Sequence, residues 1–367
     1  MTFLKLKCPV QHYAWGEKGT DGRHPFIAQF LGEEHADLPW AELWMGAHPK
    51  ASACLENGTG LNQAIAEQPL KMLGHEGNLR FLLKVLCCSS PLSIQSHPDK
   101  ATAVRLHALY PDEFPDDNHK PEVLWALSPF RVLAGFRPIQ EAFADFNAKQ
   151  ALSQWARLLS ETGDYSALCR SIFEGDTPSL DSIELDYTNE RDALFAELWK
   201  AYPGDSGTYF AYLLNYIRLA PGQAVFVPAN TPHAYIEGQG VECMACSDNV
   251  IRAGLTPKSK RKDLLMETLD FAPSSPSRML AKNSAQTGFR LDARPDFRLS
   301  IIEGGQNFVF GNGTPAIVCV LAGSAELSCK EGRLNAKSGE VFFKTADTEM
   351  ASLSTSTMDT LIAVAEE

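Results

Sequence analysis

Three short stretches of the sequence carry side chains that could hold a metal ion. In residues 92–100, reading L-S-I-Q-S-H-P-D-K, one residue separates Gln95 from His97. If this is a strand, both side chains project from one face and can reach a common ion. His119-Lys120-Pro121-Glu122 adds a carboxylate, and residues 222–233, reading G-Q-A-V-F-V-P-A-N-T-P-H, end on a second imidazole at His233. Gln95, His97, Glu122 and His233 thus offer two imidazoles, one carboxylate and one amide carbonyl. Such a set suits Zn²⁺ or another borderline divalent metal with a position left open for water or substrate. With one carboxylate among its ligands the ion keeps a formal charge of about +1, enough to polarise a carbonyl and hold a developing oxyanion. Zinc does not change oxidation state, so proton transfer beside a carbonyl fits better than redox chemistry.

Taken singly, each residue has an ordinary reading: Gln95 as a surface strand residue, Glu122 as a solvated turn residue. The joint occurrence of the i, i+2 pair, the proline-braced carboxylate and the Gly-to-Pro-to-His run is what argues for a metal. Further along, residues 247–258 read S-D-N-V-I-R-A-G-L-T-P-K, where Arg252 and Lys258 offer charge-assisted donors for an anionic group. Lys100 and Lys120 lie within a few positions of the proposed ligands, and a lysine near a metal can move protons. His12 and His48, beside aromatic residues, read as packed and hydrogen-bonded. Lys84, inside an apolar run, is either a snorkelling strand-end residue or one facing a polar cavity. Cys243 and Cys246 have C-x-x-C spacing, but no second pair completes a zinc site.

The elements that must position these residues are mostly strands. Residues 81–86 form a nearly unbroken apolar run leading into the Gln95 stretch, as a strand pair at the centre of a barrel would. Residues 61–73 have helical spacing closed by Gly74. Glu42-Leu-Trp-Met begins as a helix, and residues 138–202 and 208–219 recur apolar at three and four. The turn at residues 228–232 delivers His233 onto a strand, Glu237-Gly-Gln-Gly240 reads as a turn, and residues 241–245 as a strand running back. Residues 261–271 form a short helix, and residues 288–367, which contain no histidine, are short apolar strands with Gly and Asn turns. The expected fold is mainly β with a helical insertion: a catalytic barrel of residues 1–137 plus 220–272, helices at 138–219, and a metal-free β-barrel or sandwich at 285–367.

The chain has 367 residues, too many for one ordinary core, with globular values of 44% hydrophobic and 21% charged residues. Its net charge of −12 argues against nucleic acid or an anionic membrane surface as partner. No apolar run approaches the roughly 20 residues that span a bilayer, and the first residues lack a signal-peptide core. Nine cysteines, an odd number in mostly apolar surroundings, read as free thiols in a reducing compartment. The expectation is a cytoplasmic monomer.

The Gly222-to-Pro228-to-His233 run resembles the second motif of the cupin (jelly-roll) barrels, with Asn230 where that motif has Gly; Gln95-x-His97 with downstream Glu122 resembles the first, with Gln replacing a His. More specifically, Gln11-His-Tyr-Ala-Trp-Gly16, Glu42-Leu-Trp-Met-Gly46, Phe81-Leu-Leu-Lys84, residues 92–100, His119-Lys-Pro-Glu122, residues 227–235 and residues 247–258 resemble the type I phosphomannose isomerases, or mannose-6-phosphate isomerases. The resemblance implies Gln95, His97, Glu122 and His233 as ligands of one zinc ion, and Arg252 beside the substrate's reacting carbons. It places Lys120, His119, Asp248, Lys84, Lys100 and Glu242 around the pocket, leaves the proton-transferring group open among several of these, and suits Ser93 and Lys258 to a phosphate. It implies interconversion of mannose 6-phosphate and fructose 6-phosphate through a cis-enediol or enediolate. Leu255, where the family often has Phe, and the Cys87-Cys88 pair depart from the pattern. An isomerase of different epimer preference, an iron-dependent cupin oxygenase and a sugar-binding cupin with a vestigial site are the alternatives.

Overall fold

The computed structural model describes residues 3–19, 24–34, 38–285, 288–355 and 357–367. Two β units pack face to face, and helices flank the first. In the first unit the strands Ala224–Val227, Glu122–Ala126, His233–Ala245, Phe81–Cys88, Glu42–Met45 and Val10–Gln11 lie side by side. The facing strands Ile251–Gly254, Ile94–Ser96, Phe130–Phe136 and Leu214–Leu219 gather around the start of His233–Ala245. This is a cupin-type barrel.

His233–Ala245 belongs to both faces. Its first residues pair with Phe130–Phe136 and Gln95, and from Gly238 onward it pairs with Phe81–Cys88 and Glu122–Ala126. The expected turn at residues 237–240 is instead a bend within one strand of 13 residues. A register shift falls between Tyr235 and Glu237, and Gly238 has φ +136°, where a Cβ would stand 2.6 Å from the Phe130 ring. Glycine at a bulge bends the strand without reversing it.

Phe81–Cys88 is buried along its whole length because both faces are covered. Phe81, Leu83, Val85 and Cys87 pack toward the second β unit, against a core that includes Leu299, Ile317 and Phe343. The alternate positions turn inward, and Lys84 is one of them.

The second unit stacks a sheet built on Phe297–Glu303, Leu361–Glu366, Ala316–Ala322 and Val341–Lys344 against a smaller sheet of Asn307–Val309, Ser352–Thr355, Ser324–Cys329 and Gly332–Lys337. Phe308, Val318, Leu327 and Val364 fill the space between them. Two segments cross the expected domain limits. Phe3–Lys7 pairs with Val341–Lys344 in the second unit, and Leu214–Leu219 pairs with Phe130–Phe136 in the first.

The helices Ile139–Asn147, Ser153–Thr162, Tyr165–Glu174 and Glu190–Ala201 enclose Trp155, Tyr165, Phe195 and Tyr212. Asp164 and Asn189 cap two of them by accepting from the N–H groups of Ser166 and Arg191. Leu61–Glu67 and Pro69–Leu73 are helical as expected, ending at Gly74 with φ +79°. Two expected helices are corrected. Residues 208–219 hold only the short helix Phe210–Leu213 before the chain extends into the sheet, and Glu42–Met45 is a strand. Among the described residues no helix is long and apolar enough to cross a membrane, and all nine cysteines are free.

Candidate metal centre and active site

His97, Glu122 and His233 arrive from three places. His97 follows the short strand Ile94–Ser96, Glu122 opens its strand directly after Pro121, and His233 opens its strand directly after Pro232. Each side chain is no more than 2% exposed. His97 Nε2 lies 3.4 Å from Glu122 Oε1, and His233 Nε2 lies 3.2 Å from Glu122 Oε2. Four ligand atoms placed tetrahedrally at zinc distances stand ~3.3 Å apart, so the spacing fits a common ion. Two of these atoms, His97 Nε2 and Glu122 Oε2, are buried without a hydrogen-bond partner, which a metal would supply.

The second nitrogen of each ring is already engaged. His97 Nδ1 donates to the Asn249 carbonyl at 2.7 Å and His233 Nδ1 to the Thr231 carbonyl at 3.0 Å. A carbonyl can only accept, so both rings carry the proton on Nδ1 and turn the Nε2 lone pair inward. Burial, with Lys120 nearby, pushes the pKa of His97 down to about 4, which keeps its ring neutral. Burial opposes the charge of Glu122, yet His97 and the Lys120 ammonium, 3.2 Å from Oε1, hold the carboxyl well below the usual range. The Gln95 side chain stands beside the set with its amide nitrogen 3.5 Å from His233 Nε2, and its carbonyl oxygen accepts from Ser93.

Of these groups Gln95, Lys120 and Glu122 line a cavity of about 470 Å³, and the rings of His97 and His233 lie behind Glu122. Lys84, Ser93, Glu242, Asp248, Arg252 and Lys258 line it as well. Lys84 Nζ lies 2.9 Å from Glu242 and 3.5 Å from Glu42, over the face of Trp44. Burial alone would lower its pKa, but Glu242 and Glu42 outweigh it and hold the ammonium charged. Arg252 is half-buried, its pKa is pushed down by desolvation, and among the described residues no carboxylate pairs with it. Asp248 lies 2.9 Å from Lys50 and 3.5 Å from the buried His48, which packs on Trp44. Ser93 Oγ donates to Gln95 at 3.3 Å, and Lys258 is exposed at the rim. A larger cavity of about 780 Å³ beyond Ala14 and Gly16 reaches none of the metal-facing groups.

Two expected pocket residues lie elsewhere. His119 turns outward to Asp296, 2.9 Å away, because residues 119 and 121 alternate with the inward-facing Lys120 and Glu122. Lys100 is an exposed first-turn residue of the helix Lys100–Leu109, 3.0 Å from Asp117. Conversely, Glu42, Tyr13, Tyr202 and Tyr235 line the cavity unanticipated. Glu42 stands in one of the family-like motifs, but only strand pairing shows that it faces Lys84; Tyr202, at the end of the helical region, gave no signal.

A family model described as phosphomannose isomerase type I, catalytic domain, matches residues 3–139. A probable mannose-6-phosphate isomerase of Echinococcus multilocularis is 40% identical over 321 residues, covering 75% of this chain and 74% of that protein. The chain belongs to the type I phosphomannose isomerase family. The mannose-6-phosphate isomerase of Homo sapiens is 39% identical over 314 residues, covering 74% of this chain and 73% of that one. Among solved phosphomannose isomerases, the mannose 6-phosphate isomerase of Salmonella typhimurium, bound to substrate and to zinc, superposes with a TM-score of 0.86. It is 32% identical and 99% of each chain is covered. The likeness therefore extends over the helices and the second β unit as well as the barrel.

Proposed function

We propose that this chain is an aldose–ketose isomerase that interconverts mannose 6-phosphate and fructose 6-phosphate with one zinc ion. The observation that carries the reading is the buried group of His97, Glu122 and His233, whose carboxylate lines the same cavity as Gln95 and Arg252. Gln95, His97, Glu122 and His233 would hold the ion, which when bound supplies positive charge to substrate oxygens.

The remaining work falls to side chains of the cavity. The C2 proton of the open-chain aldose passes to a base, the resulting cis-enediol or enediolate is reprotonated at C1, and the C2 oxygen loses a proton as the C1 oxygen gains one. Arg252 faces the oxygens between which charge moves and acts as a fixed donor to them. Lys84, held charged by two carboxylates, serves as a donor; the Asp248 carboxylate can accept a proton and the Lys120 ammonium can donate one, including during ring opening. In a chain of net charge −12, Lys258 at the rim and Ser93 provide local donors for the phosphate.

Functionally we divide the chain into a catalytic barrel that takes in Leu214–Leu219, helices that close one wall of its cavity through Tyr202, and a second β unit that takes in Phe3–Lys7 and backs the barrel. We read the chain as a monomer, and nine free thiols support a reducing, cytoplasmic setting. The test is incubation of mannose 6-phosphate with the protein in D₂O. An enediol route exchanges carbon-bound hydrogen at C1 of the ketose; product formed with no solvent deuterium from a chain lacking every candidate base would contradict the assignment of proton transfer to these groups.

A further inference from the structure

The ring of His97 is aimed by a single acceptor, the backbone carbonyl of Asn249, 2.7 Å from Nδ1. That carbonyl belongs to the irregular segment between the strands His233–Ala245 and Ile251–Gly254. No sheet ladder fixes it, so other bonds must. One side chain from a distant part of the chain makes three of them. Asp116 Oδ1 accepts from Ser247 Oγ at 2.8 Å and from Asn249 Nδ2 at 3.0 Å, and Oδ2 accepts from the Asp248 N–H at 2.9 Å. The carboxylate is itself steadied by the Asn118 N–H, which donates to Oδ1 at 2.9 Å. The Asn249 amide further donates to the backbone carbonyls of Asp116 and Asn118 at 2.8 and 2.9 Å, and Asn249 is fully buried.

Asp116 thus grips three consecutive residues without lining the cavity. One of them, Asn249, sets the tautomer and direction of His97, and another, Asp248, puts its carboxylate on the cavity wall. We propose that Asp116 is a positioning residue for the metal centre, acting on His97 through the Asn249 carbonyl and on Asp248 through its backbone. The proposal rests on His97 being a metal ligand.

The test compares Asp116→Ala, Asp116→Asn and a control, Asp117→Asn, in the full-length chain. Asp117 is the exposed neighbour, whose carboxylate pairs with Lys100. Zinc affinity is measured by competition with a fluorescent chelator, the visible spectrum of the cobalt-substituted protein reports ligand geometry, and the thermal midpoint of the metal-free chain reports folding. Asp116→Ala should lose about 10–100-fold in zinc affinity with a changed cobalt spectrum, and Asp116→Asn should fall between it and wild type. Asp117→Asn should match wild type. If Asp116→Ala does not fold, Asp116→Asn and Ser247→Ala carry the same test. Zinc affinity and a cobalt spectrum equal to wild type in these variants would overturn the proposal, even with a lowered midpoint, since that is all a merely structural role would produce. A wild-type chain that takes up no zinc would overturn the metal reading and the proposal with it; wild-type uptake with unaffected variants would overturn the proposal alone.

Discussion

Arg252 stands directly opposite Gln95 on paired strands, and His233 stands opposite Gln95 on the other side. Residues directly opposite in a sheet share a face, and neighbouring strands are about 4.8 Å apart. The guanidinium is therefore one strand away from the metal-facing row and is carried by the same sheet. A donor placed this way needs no reorganisation as charge develops on a substrate oxygen.

Replacing Arg252 should accordingly damage chemistry and leave the metal in place. Arg252→Ala is expected to lower kcat by about 10²–10³-fold, the usual cost of one preorganised donor. Arg252→Lys should recover part of it, because the compact ammonium lacks the planar fork. Steady-state kinetics beside metal analysis of the purified variants checks both; loss of zinc together with activity would place Arg252 among the structural supports instead.

Lys84 is the counter-ion of two buried carboxylates, with its side chain 8% exposed. Lys84→Met leaves Glu42 and Glu242 uncompensated and should destabilise the protein by about 3–5 kcal/mol, read from denaturant unfolding of the metal-free chain. The double change Lys84→Met with Glu242→Gln should be less destabilising than the single one. Equal losses would show that the pair is not coupled.

Asn230, at the place where the cupin motif has glycine, adopts φ +62° and exchanges side-chain hydrogen bonds with Asp99, accepting from its N–H at 3.2 Å and donating to Oδ2 at 2.8 Å. Asn tolerates this left-handed conformation better than other residues with a Cβ. Asn230→Ala should therefore cost more than Asn230→Gly, by about 1 kcal/mol, since alanine loses the bonds and keeps the strain. Unfolding measurements on both variants decide it.

The metal-facing atoms are mutually close and partly unpaired in the buried core, so removing a bound ion should loosen the barrel. Zinc present at 100–1,000 times its dissociation constant is expected to add about 2.7–4.1 kcal/mol of stability, and chelation to remove it. His97→Ala should abolish this zinc-dependent increment. Thermal unfolding with and without chelator, on wild type and variant, measures it.

His97, Glu122 and His233 were legible because each sits beside a proline at or next to a strand end, where local sequence fixes direction. His119 was not separable from Lys120 on those terms: which face of the 119–122 segment points inward depends on pairing with distant strands, as Glu122 does with Met244. Residues 208–219 misled for a related reason. Tyr209, Tyr212, Leu213 and Tyr216 have helical spacing, but the buried Asn215 donates to the carbonyls of Ala134 and Gly135 and draws the chain into a sheet after one short helix. Glu42–Met45 is buried on all sides, and a short apolar run carries no period that separates strand from helix. The second β unit was readable as β from its turns, yet its partnership with Phe3–Lys7 spans almost the whole chain and leaves no local mark.

The central claim is that a zinc-loaded cavity in this chain isomerises a hexose 6-phosphate. The most direct measurement is conversion of mannose 6-phosphate to fructose 6-phosphate by the purified protein, first as isolated, then after chelation, then with Zn²⁺ restored. Activity that disappears with the metal and returns with zinc is the expected result. A folded, zinc-loaded chain that converts nothing would contradict the account.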